Sequence, residues 1–132
     1  MMMVDTELRP SAIHGLGVFL LHPVAKGALI WRFDSRIDRV YSEAEIASLP
    51  ERVQDYVRRY STWHEGTQVW VLCGDNGRYF NHAEAPNTIS DGIAFGTDVA
   101  ALDLEEGTEL TSNYSAICDY SRRNGLLFKE PA

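Results

Sequence analysis

The sequence predicts a mainly β protein built from short strands, with one helical insertion. Short runs rich in Val, Ile, Phe and Trp recur along the chain, separated by turns that contain glycine or proline. Helical spacing of apolar residues stands out in one region, residues 42–60. The length of 132 residues suits a single domain with one hydrophobic core, so we expect one domain over residues 1–132.

The first part of the chain indicates a hairpin-like unit. Residues 4–9 alternate in polarity as an opening strand does, and Pro10 ends it. Residues 13–21 begin glycine-rich and then become strand-like. A turn over residues 23–27 leads into a returning strand over residues 28–33.

A helical insertion follows the hairpin-like unit. Ser42 and Glu45 have the spacing of a capping box, which predicts the start of a short helix. Pro50 suits the first turn of a second helix. The second helix would have one apolar face, formed by Val53, Tyr56, Val57 and Tyr60. We therefore expect a helical insertion over about residues 42–60.

The second half alternates strands and turns. We expect strands over residues 68–73, 93–95, 97–104 and 108–114. The tail over residues 115–132 carries several apolar side chains able to pack on the body: Tyr120, Leu126, Leu127 and Phe128.

Two segments of the chain resemble each other. In residues 20–30 and again in residues 100–110, an apolar pair leads to an apolar residue three before a glycine, and then to a strand. The period occurs twice, which does not indicate a solenoid. Two similar hairpins would explain the similarity.

The net charge of −7 is unevenly distributed. Between residues 74 and 119, Arg78 is the single Lys or Arg. The acids of that span are Asp75, Glu84, Asp91, Asp98, Asp103, Glu105, Glu106, Glu109 and Asp119. Such a field repels nucleic acid and attracts a basic partner. A solvated, solubilising surface is the alternative interpretation.

Composition also bears on the compartment. No apolar run approaches about 20 residues, so we expect no membrane span. The N-terminus lacks a charged region followed by an apolar stretch, so we expect no signal peptide and a cytoplasmic protein. Cys73 and Cys118 belong to no C-x-x-C pair, which predicts two reduced thiols and no disulfide framework.

Several familiar motifs are incomplete. A dinucleotide fingerprint beginning at Gly15 and Gly17 would need glycine where Leu20 stands, and no Walker-type lysine motif or G-x-S-x-G elbow is present. The histidine spacings match no zinc pattern, so we expect no metal site. Two glycines can bring the backbone close to a ligand, or they can simply form a turn.

Asn81 and His82 stand in a short polar loop between strand-like runs. An adjacent amide and imidazole can read a purine edge or hold a backbone crossing. A hydrogen-bonded structural pair is the alternative. Tyr114 ends the last predicted strand and, judged alone, could equally belong to the core.

Taken together and in order, three segments resemble the SET domain, the lysine methyltransferase family. They are Gly15-Leu16-Gly17-Val18-Phe19, Asn81-His82-Ala83-Glu84-Ala85-Pro86-Asn87 and Gly107-Thr108-Glu109-Leu110-Thr111-Ser112-Asn113-Tyr114. The resemblance covers about residues 4–115 and is closest to minimal bacterial or viral members. The cysteine-rich zinc flank found beside many eukaryotic members is absent.

The resemblance implies a β-clip-like fold of several small sheets, with the C-terminal strand segment threaded as a pseudoknot under a preceding loop. It implies that Gly15, Leu16 and Gly17 line S-adenosyl-L-methionine. It also implies that Asn81 and His82 hold this cofactor from the other side, without a metal. Tyr114 matches the catalytic tyrosine, which also contacts the cofactor.

The chemistry of such a site suits these residue types. Methyl transfer to an amine is an in-line displacement that leaves S-adenosyl-L-homocysteine, and it depends on alignment of the nucleophile. The target lysine must be neutral, which burial and the adjacent sulfonium favour. Tyr114 would orient the amine and need not be a general base. We expect the channel walls to include Trp70, Tyr79, Phe80, Tyr120 and Phe128.

The sequence departs from the family pattern at a few positions. Ala83 replaces a Ser or Cys, while Ser112 and Asn113 stand where the family often has an aromatic or apolar residue and Asp. The width of the channel, and with it the degree of methylation, therefore stays open. In the absence of the zinc flank, residues 115–132 or a second subunit of a homodimer would close the channel.

The sequence thus predicts an S-adenosylmethionine-dependent protein-lysine N-methyltransferase. The acidic 74–119 region favours a basic, histone-like protein or peptide with an accessible lysine, and no direct contact with nucleic acid or membrane. Two alternatives stay open. One is a SET-fold module that binds cofactor or peptide without turnover, and the other is a methyltransferase for a non-histone protein or a small amine.

Overall fold

Ten short strands and three helices make up the described part of the chain, residues 1–119, in a computed structural model. The strands are β1 (Thr6–Pro10), β2 (Leu16–Leu20), β3 (Leu29–Arg32), β4 (Arg39–Tyr41), β5 (Ser61–His64), β6 (Val69–Leu72), β7 (Asn81–His82), β8 (Thr88–Ser90), β9 (Thr97–Ala100) and β10 (Glu109–Ser112). The helices are α1 (Glu43–Ala47), α2 (Glu51–Tyr60) and α3 (Tyr114–Ile117), with a 3-10 turn over Asn76–Tyr79. None of the described helices is long and apolar enough to cross a membrane.

The strands form three small sheets, with the orders β1-β2-β10-β7, β3-β9-β8 and β4-β6-β5. This confirms the predicted mainly β architecture. The predicted hairpin is wrong in its pairing, because β2 and β3 belong to different sheets. β2 pairs with β1 and β10, whereas β3 pairs with β9.

The two similar segments pack against each other, which explains the wrong hairpin. Each segment contributes one strand to each of two sheets, so its strands pair with those of the other segment and not with each other. Between the two strand pairs, the segments also form a reciprocal pair of hydrogen bonds. The N–H groups of Val24 and Leu104 each donate to the other residue's carbonyl at 2.9 Å. Gly27 and Gly107 occupy equivalent turns, each with a φ of 84°.

The predicted helical insertion is confirmed as a pair of helices. Ser42 Oγ accepts from the N–H of Glu45 at 3.1 Å, and the Glu45 carboxylate accepts from the N–H of Ser42 at 2.9 Å, which completes the capping box. Pro50 precedes the first residue of α2. The insertion has its own small core, formed by Ile46, Val57 and Trp70.

The last strand, β10, lies between β2 and β7 and is held from several directions. It runs parallel to β7, with Thr111 opposite Asn81. Asn87 Nδ2 donates to the carbonyl of Glu109 at 2.8 Å, and its Oδ1 accepts from the N–H of Thr111 at 2.8 Å. Thr88 Oγ1 donates to the Thr111 carbonyl at 2.7 Å. The loop between β7 and β8 therefore binds β10 along its length, as a crossing of the two segments requires.

The larger core lies beneath this crossing. It contains the buried residues Val18, Leu20, Ile30, Phe80, Ala100, Leu104 and Leu110. Because β2, β10 and Phe80, the residue before β7, all contribute to it, packing of this core fixes the relative positions of the three segments that the sequence singles out.

Residues 93–95 do not form the predicted strand. The Asp91 carboxylate accepts from the N–H of Ile93 at 3.2 Å and from that of Thr97 at 2.9 Å, which bends the chain into a loop. Gly96 fits because a Cβ there would lie 2.0 Å from the Asp91 carboxylate. Side-chain capping of the backbone has overridden the apolar pattern.

The predicted strand over residues 108–114 ends early, at Ser112. Asn113 caps the short helix α3, since its Oδ1 accepts from the N–H of Ser115 at 3.0 Å. This cap turns the chain so that Tyr114 leaves the strand and points into the protein, where it is buried.

Candidate active site

One cavity, cavity A, brings several predicted site residues together. Its volume is about 130 Å³. It is lined by His14, Gly15, Leu16, Arg59, Tyr60, Arg78, Tyr79, Phe80, Asn81 and Tyr114. Tyr79 and Phe80 are predicted as substrate-channel residues, and the structure places them here beside the residues predicted to hold the cofactor.

Tyr114 is held rigidly at the wall of cavity A. Its hydroxyl donates to the main-chain carbonyl of Phe80 at 2.6 Å. Burial raises the pKa of Tyr114 well above its usual value, and the nearby charge of Glu109 adds to the effect. The side chain is therefore a neutral phenol at physiological pH, with its proton engaged and its oxygen able to accept a hydrogen bond.

His82 positions Tyr114 from outside the cavity. Its Nδ1 accepts from the main-chain N–H of Tyr114 at 3.1 Å. Because a main-chain N–H can act only as a donor, Nδ1 is unprotonated and Nε2 carries the ring proton. Nε2 then donates to the Glu84 carboxylate at 3.1 Å. The imidazole thus links the β7–β8 loop to the residue that follows the last strand.

The side chain of Asn81 organises the glycine loop. This amide is buried, and its Nδ2 lies within hydrogen-bonding distance of three acceptors. They are the carbonyl of His14 at 3.0 Å, the carbonyl of Leu16 at 3.1 Å and the Glu109 carboxylate at 2.8 Å. Asn81 therefore joins the loop before β2 to strand β10, and its amide protons are engaged by protein groups.

The two glycines of the loop have different roles. A Cβ on Gly17 would lie 2.3 Å from Oε2 of Glu109, a carboxylate that also accepts from Ser11 Oγ at 2.8 Å. Gly17 is therefore needed for packing against that carboxylate. Gly15 has a φ of 47° and no atom within 4 Å of its Cβ position, so its backbone faces open space. Sequence reasoning missed Ser11 and Glu109, although Glu109 lies within the last motif.

Two arginines that were not predicted as site residues, Arg59 and Arg78, line cavity A. Arg78 is held by its own contacts, since Nε donates to the Cys73 carbonyl at 2.9 Å and Nη1 to the Tyr56 hydroxyl at 2.8 Å. Arg59, near the end of α2, forms no salt bridge among residues 1–119. Cavity A is thus positive in an otherwise acidic protein. No periodicity argument reveals this, because both arginines reach the cavity through tertiary packing.

A second cavity, cavity B, adjoins cavity A. Its volume is about 60 Å³, and Tyr60 and Phe80 line both cavities. Most of its wall is apolar or aromatic, with Ser112 and Asp98 among the polar exceptions. Phe80 also provides the carbonyl that accepts from the Tyr114 hydroxyl, so a residue shared by the two cavities holds that tyrosine.

The other predicted site residues lie elsewhere. Trp70 belongs to the core of the helical insertion, where its indole N–H donates to the Glu43 carboxylate at 2.7 Å, and it lines neither cavity. Tyr120, Phe128 and most of the tail predicted to close the site lie outside the described residues. Within residues 1–119, no three His, Cys, Asp or Glu side chains converge as a metal site requires.

Comparison with solved structures shows the fold. The chain is similar to a candidate histone methyltransferase of Plasmodium falciparum, with a TM-score of 0.59 and 21% identity over 84% of this chain and 93% of that one. It is also similar to a chain of the apo ctPRC2 complex with mutations in Ezh2, with a TM-score of 0.68 and 24% identity. A humanized mutant of the Chaetomium thermophilum Polycomb Repressive Complex 2 gives a TM-score of 0.63 and 24% identity.

These similarities differ in extent. The match covers 84% of this chain in each complex but 15% of the much longer chain to which it aligns. No protein-family model and no curated protein sequence matches the chain. The chain has the SET-domain fold, with sequence identity below 25% to each of these structures.

Proposed function

We propose that this protein transfers a methyl group from S-adenosylmethionine to the side-chain amine of lysine in a basic protein. The observation that carries the proposal is the placement of Tyr114. Its buried hydroxyl lies at the wall of cavity A and is fixed by the carbonyl of Phe80, a residue that also lines cavity B. A transfer reaction needs two adjoining sites with an orienting group between them.

The residues of cavity A fit the cofactor. S-adenosylmethionine, when bound, supplies an electrophilic methyl group on a sulfonium centre. The open backbone at Gly15 allows close approach of a ligand. Arg59 and Arg78 suit a carboxylate, since a guanidinium can form two parallel hydrogen bonds with one. Tyr60 and Tyr79 add aromatic surface for a planar ring.

Tyr114 would orient the acceptor and not remove its proton. The phenol proton is engaged by the Phe80 carbonyl at 2.6 Å, so toward an amine N–H the hydroxyl would act as an acceptor and not as a donor. The raised pKa of Tyr114 disfavours a phenolate that could act as a base. Its contribution is alignment, and His82 secures the backbone from which the ring projects.

Transfer of a labelled methyl group tests the proposal directly. Purified protein is incubated with a tritium-labelled donor and histones, basic peptides or a cell lysate, and incorporation is compared with that of Tyr114→Phe. We expect a loss of roughly 100-fold in kcat with little change in donor affinity, because alignment is lost while cavity A persists. Tyr41→Phe, at the end of β4 and before the helical insertion, is the matched control and should keep full activity.

Other outcomes identify the alternatives. If wild type binds the donor by calorimetry but modifies nothing above Tyr114→Phe, the protein is a binding module. If free amines accept the label while proteins do not, the substrate is a small molecule. Attraction of a basic substrate by the acidic surface predicts a KM that rises with salt, since such attraction is screened over about 8–10 Å at physiological ionic strength. A KM that does not change with salt concentration would contradict attraction of the substrate by the acidic surface.

A further inference from the structure

We propose that the charge of the Glu109 carboxylate strengthens binding of the methyl donor relative to binding of the demethylated product. The inference rests on the proposed function, because it takes cavity A as the donor site. It adds a residue that distinguishes two nearly identical ligands by their charge. Binding measurements without any methyl acceptor can test it.

Glu109 lies directly behind the wall of cavity A. It is the first residue of β10, opposite Phe19 of β2. Its Oε2 accepts from Nδ2 of Asn81 at 2.8 Å, and Asn81 lines the cavity. The same oxygen would lie 2.3 Å from a Cβ on Gly17, so the backbone of the glycine loop passes close to it. A single side chain, that of Asn81, thus connects the carboxylate to the cavity wall.

No cation neutralises this carboxylate within residues 1–119. Its side-chain partners there are Ser11, whose Oγ lies 2.8 Å from Oε1 and 2.9 Å from Oε2, and Asn81. Both are neutral donors, which suits the ionised, acceptor-only form of the acid. None of the ion pairs formed by these residues includes Glu109, which is partly buried. Its negative charge is therefore left for a ligand to complement.

The field of Glu109 reaches the predicted point of methyl transfer. Burial raises the pKa of the Tyr114 hydroxyl, and the charge of Glu109 adds to the rise. A negative charge that disfavours a phenolate at this hydroxyl favours a positive charge at the same place, by the same Coulomb interaction. A cationic sulfur bound beside Tyr114 would therefore be stabilised by Glu109, and a neutral sulfur would not.

The donor and the product differ in charge at that one sulfur atom. Transfer breaks the bond between sulfur and the methyl carbon, and the electron pair of this bond stays on sulfur. A new bond forms between the carbon and the amine nitrogen, to which the positive charge passes. S-adenosylmethionine, a sulfonium cation, thereby becomes S-adenosylhomocysteine, a neutral thioether. An acid without a cation partner behind the cavity thus favours the donor and helps the product to leave.

Calorimetric titration of the two ligands tests the inference. We would measure Kd for S-adenosylmethionine and for S-adenosylhomocysteine at pH 8, without a methyl acceptor. The donor preference is the Kd of the product divided by the Kd of the donor. Glu109→Gln removes the charge and keeps the size of the side chain, and should lower the donor preference about tenfold. Glu106→Gln removes an exposed acid of the preceding turn and should keep the wild-type value.

Two variants of Ser11 separate the charge of Glu109 from its positioning. Ser11→Ala removes the hydroxyl that contacts Glu109 but leaves the charge, so the donor preference should be kept even where both affinities fall. Ser11 is partly exposed, so a longer side chain has access to solvent. Ser11→Lys gives the carboxylate a cation partner and should lower the donor preference with Glu109 in place. This variant decides the question if circular dichroism shows that Glu109→Gln does not fold.

The outcomes separate this inference from the proposed function. If the donor binds but its preference is unchanged in both Glu109→Gln and Ser11→Lys, the role of Glu109 fails and the proposed function stands. An equal loss of preference in Ser11→Ala or Glu106→Gln also overturns the inference, because positioning or general surface charge would then explain the effect. If wild type binds neither ligand, cavity A is not a donor site, and the proposed function fails together with the inference.

Discussion

Cavities A and B share a wall but are built in opposite ways. In cavity A the two central polar groups are engaged by the protein itself. Asn81 is bonded to the glycine loop, and the Tyr114 hydroxyl is bonded to a carbonyl. In cavity B, Ser112 and Trp31 have buried polar atoms without partners among the described residues, and a carboxylate sits among apolar side chains.

This difference indicates what each cavity does. A network whose donors and acceptors are satisfied keeps its shape before the ligand arrives, so cavity A is preorganised. Unpaired polar atoms and a desolvated acid cost stability, and proteins keep such features where a ligand compensates for them. The protein should therefore lose stability when the hydrogen-bonded amide of cavity A, Asn81, is removed, and should gain stability when the acid of cavity B, Asp98, is removed.

Removal of the central amide of cavity A should have the largest effect. Asn81→Ala leaves two carbonyls and the Glu109 carboxylate without the amide donor. We expect a loss of about 3 kcal/mol in the free energy of unfolding, together with loss of donor binding. Urea denaturation and calorimetry measure the two effects. Asn76→Ala, which removes an amide bonded to Thr6, is the control and should keep donor binding. Normal stability in Asn81→Ala would show that cavity A is not preorganised by this network.

Removal of the Asp98 carboxylate of cavity B should change the free energy of unfolding in the opposite direction, toward greater stability. Burial raises the pKa of Asp98 to about 6, against 3.8 for an ordinary Asp. Between about pH 4 and pH 6, Asp98 is therefore protonated in the native protein and ionised in the unfolded chain. Wild-type stability should therefore fall through this window as pH rises, and Asp98→Asn should lack that fall. Above pH 6 we expect Asp98→Asn to be more stable by about 2 kcal/mol. Denaturation curves from pH 4 to pH 7.5 measure this, and identical pH profiles would contradict a cost of the buried charge.

The glycine loop offers a comparison within cavity A. Gly17→Ala forces a methyl group against the Glu109 carboxylate, which Ser11 and Asn81 hold in place. We expect the free energy of unfolding to fall by about 2 kcal/mol. Gly15→Ala meets no atom but must keep a positive φ, which costs about 1 kcal/mol. Thermal unfolding of both variants gives the order. A larger loss for Gly15→Ala would mean that the packing against Glu109 is not the reason for glycine at residue 17.

Removal of Arg59 from cavity A should have the smallest effect. Arg59→Ala removes a guanidinium that lines the cavity and has no salt bridge among the described residues. Donor affinity should fall about fivefold, or about 1 kcal/mol, while the free energy of unfolding changes little. Arg52→Ala, on the exposed surface of α2, is the matched control. Equal donor affinity in Arg59→Ala and wild type would show that Arg59 does not contribute to binding of the donor.

Much of the site could be predicted because some motifs depend on residues that are close in the sequence, and others can be recognised as an ordered set of three segments. The capping box of Ser42 and Glu45 is visible in the sequence because its donors and acceptors lie three residues apart. The three segments that resemble the SET domain come to lie together in the structure, at the crossing of β10 and the β7–β8 loop. The β class was also predictable, since short runs of β-branched and aromatic residues need no knowledge of their partners.

The errors have a common cause. The predicted hairpin failed because the alternation of a strand shows that it pairs, but not with which strand, and β2 and β3 both pair with strands of the second similar segment. Residues 93–95 failed because one carboxylate, Asp91, captured two backbone N–H groups. Trp70, predicted to line the channel, packs in the core of the helical insertion and lines neither cavity.

By itself, the sequence determined the class of fold, the caps and turns, and the segments that carry polar chemistry, because these depend on neighbours a few residues away. Tertiary structure alone decided that Gly17 lies against Glu109, that His82 holds the backbone of Tyr114, and that Asp98 and Ser112 share a wall. The physical reason is distance along the chain. The bond from Asn81 to His14 spans 67 residues, and no local pattern specifies such a contact until the whole core has packed.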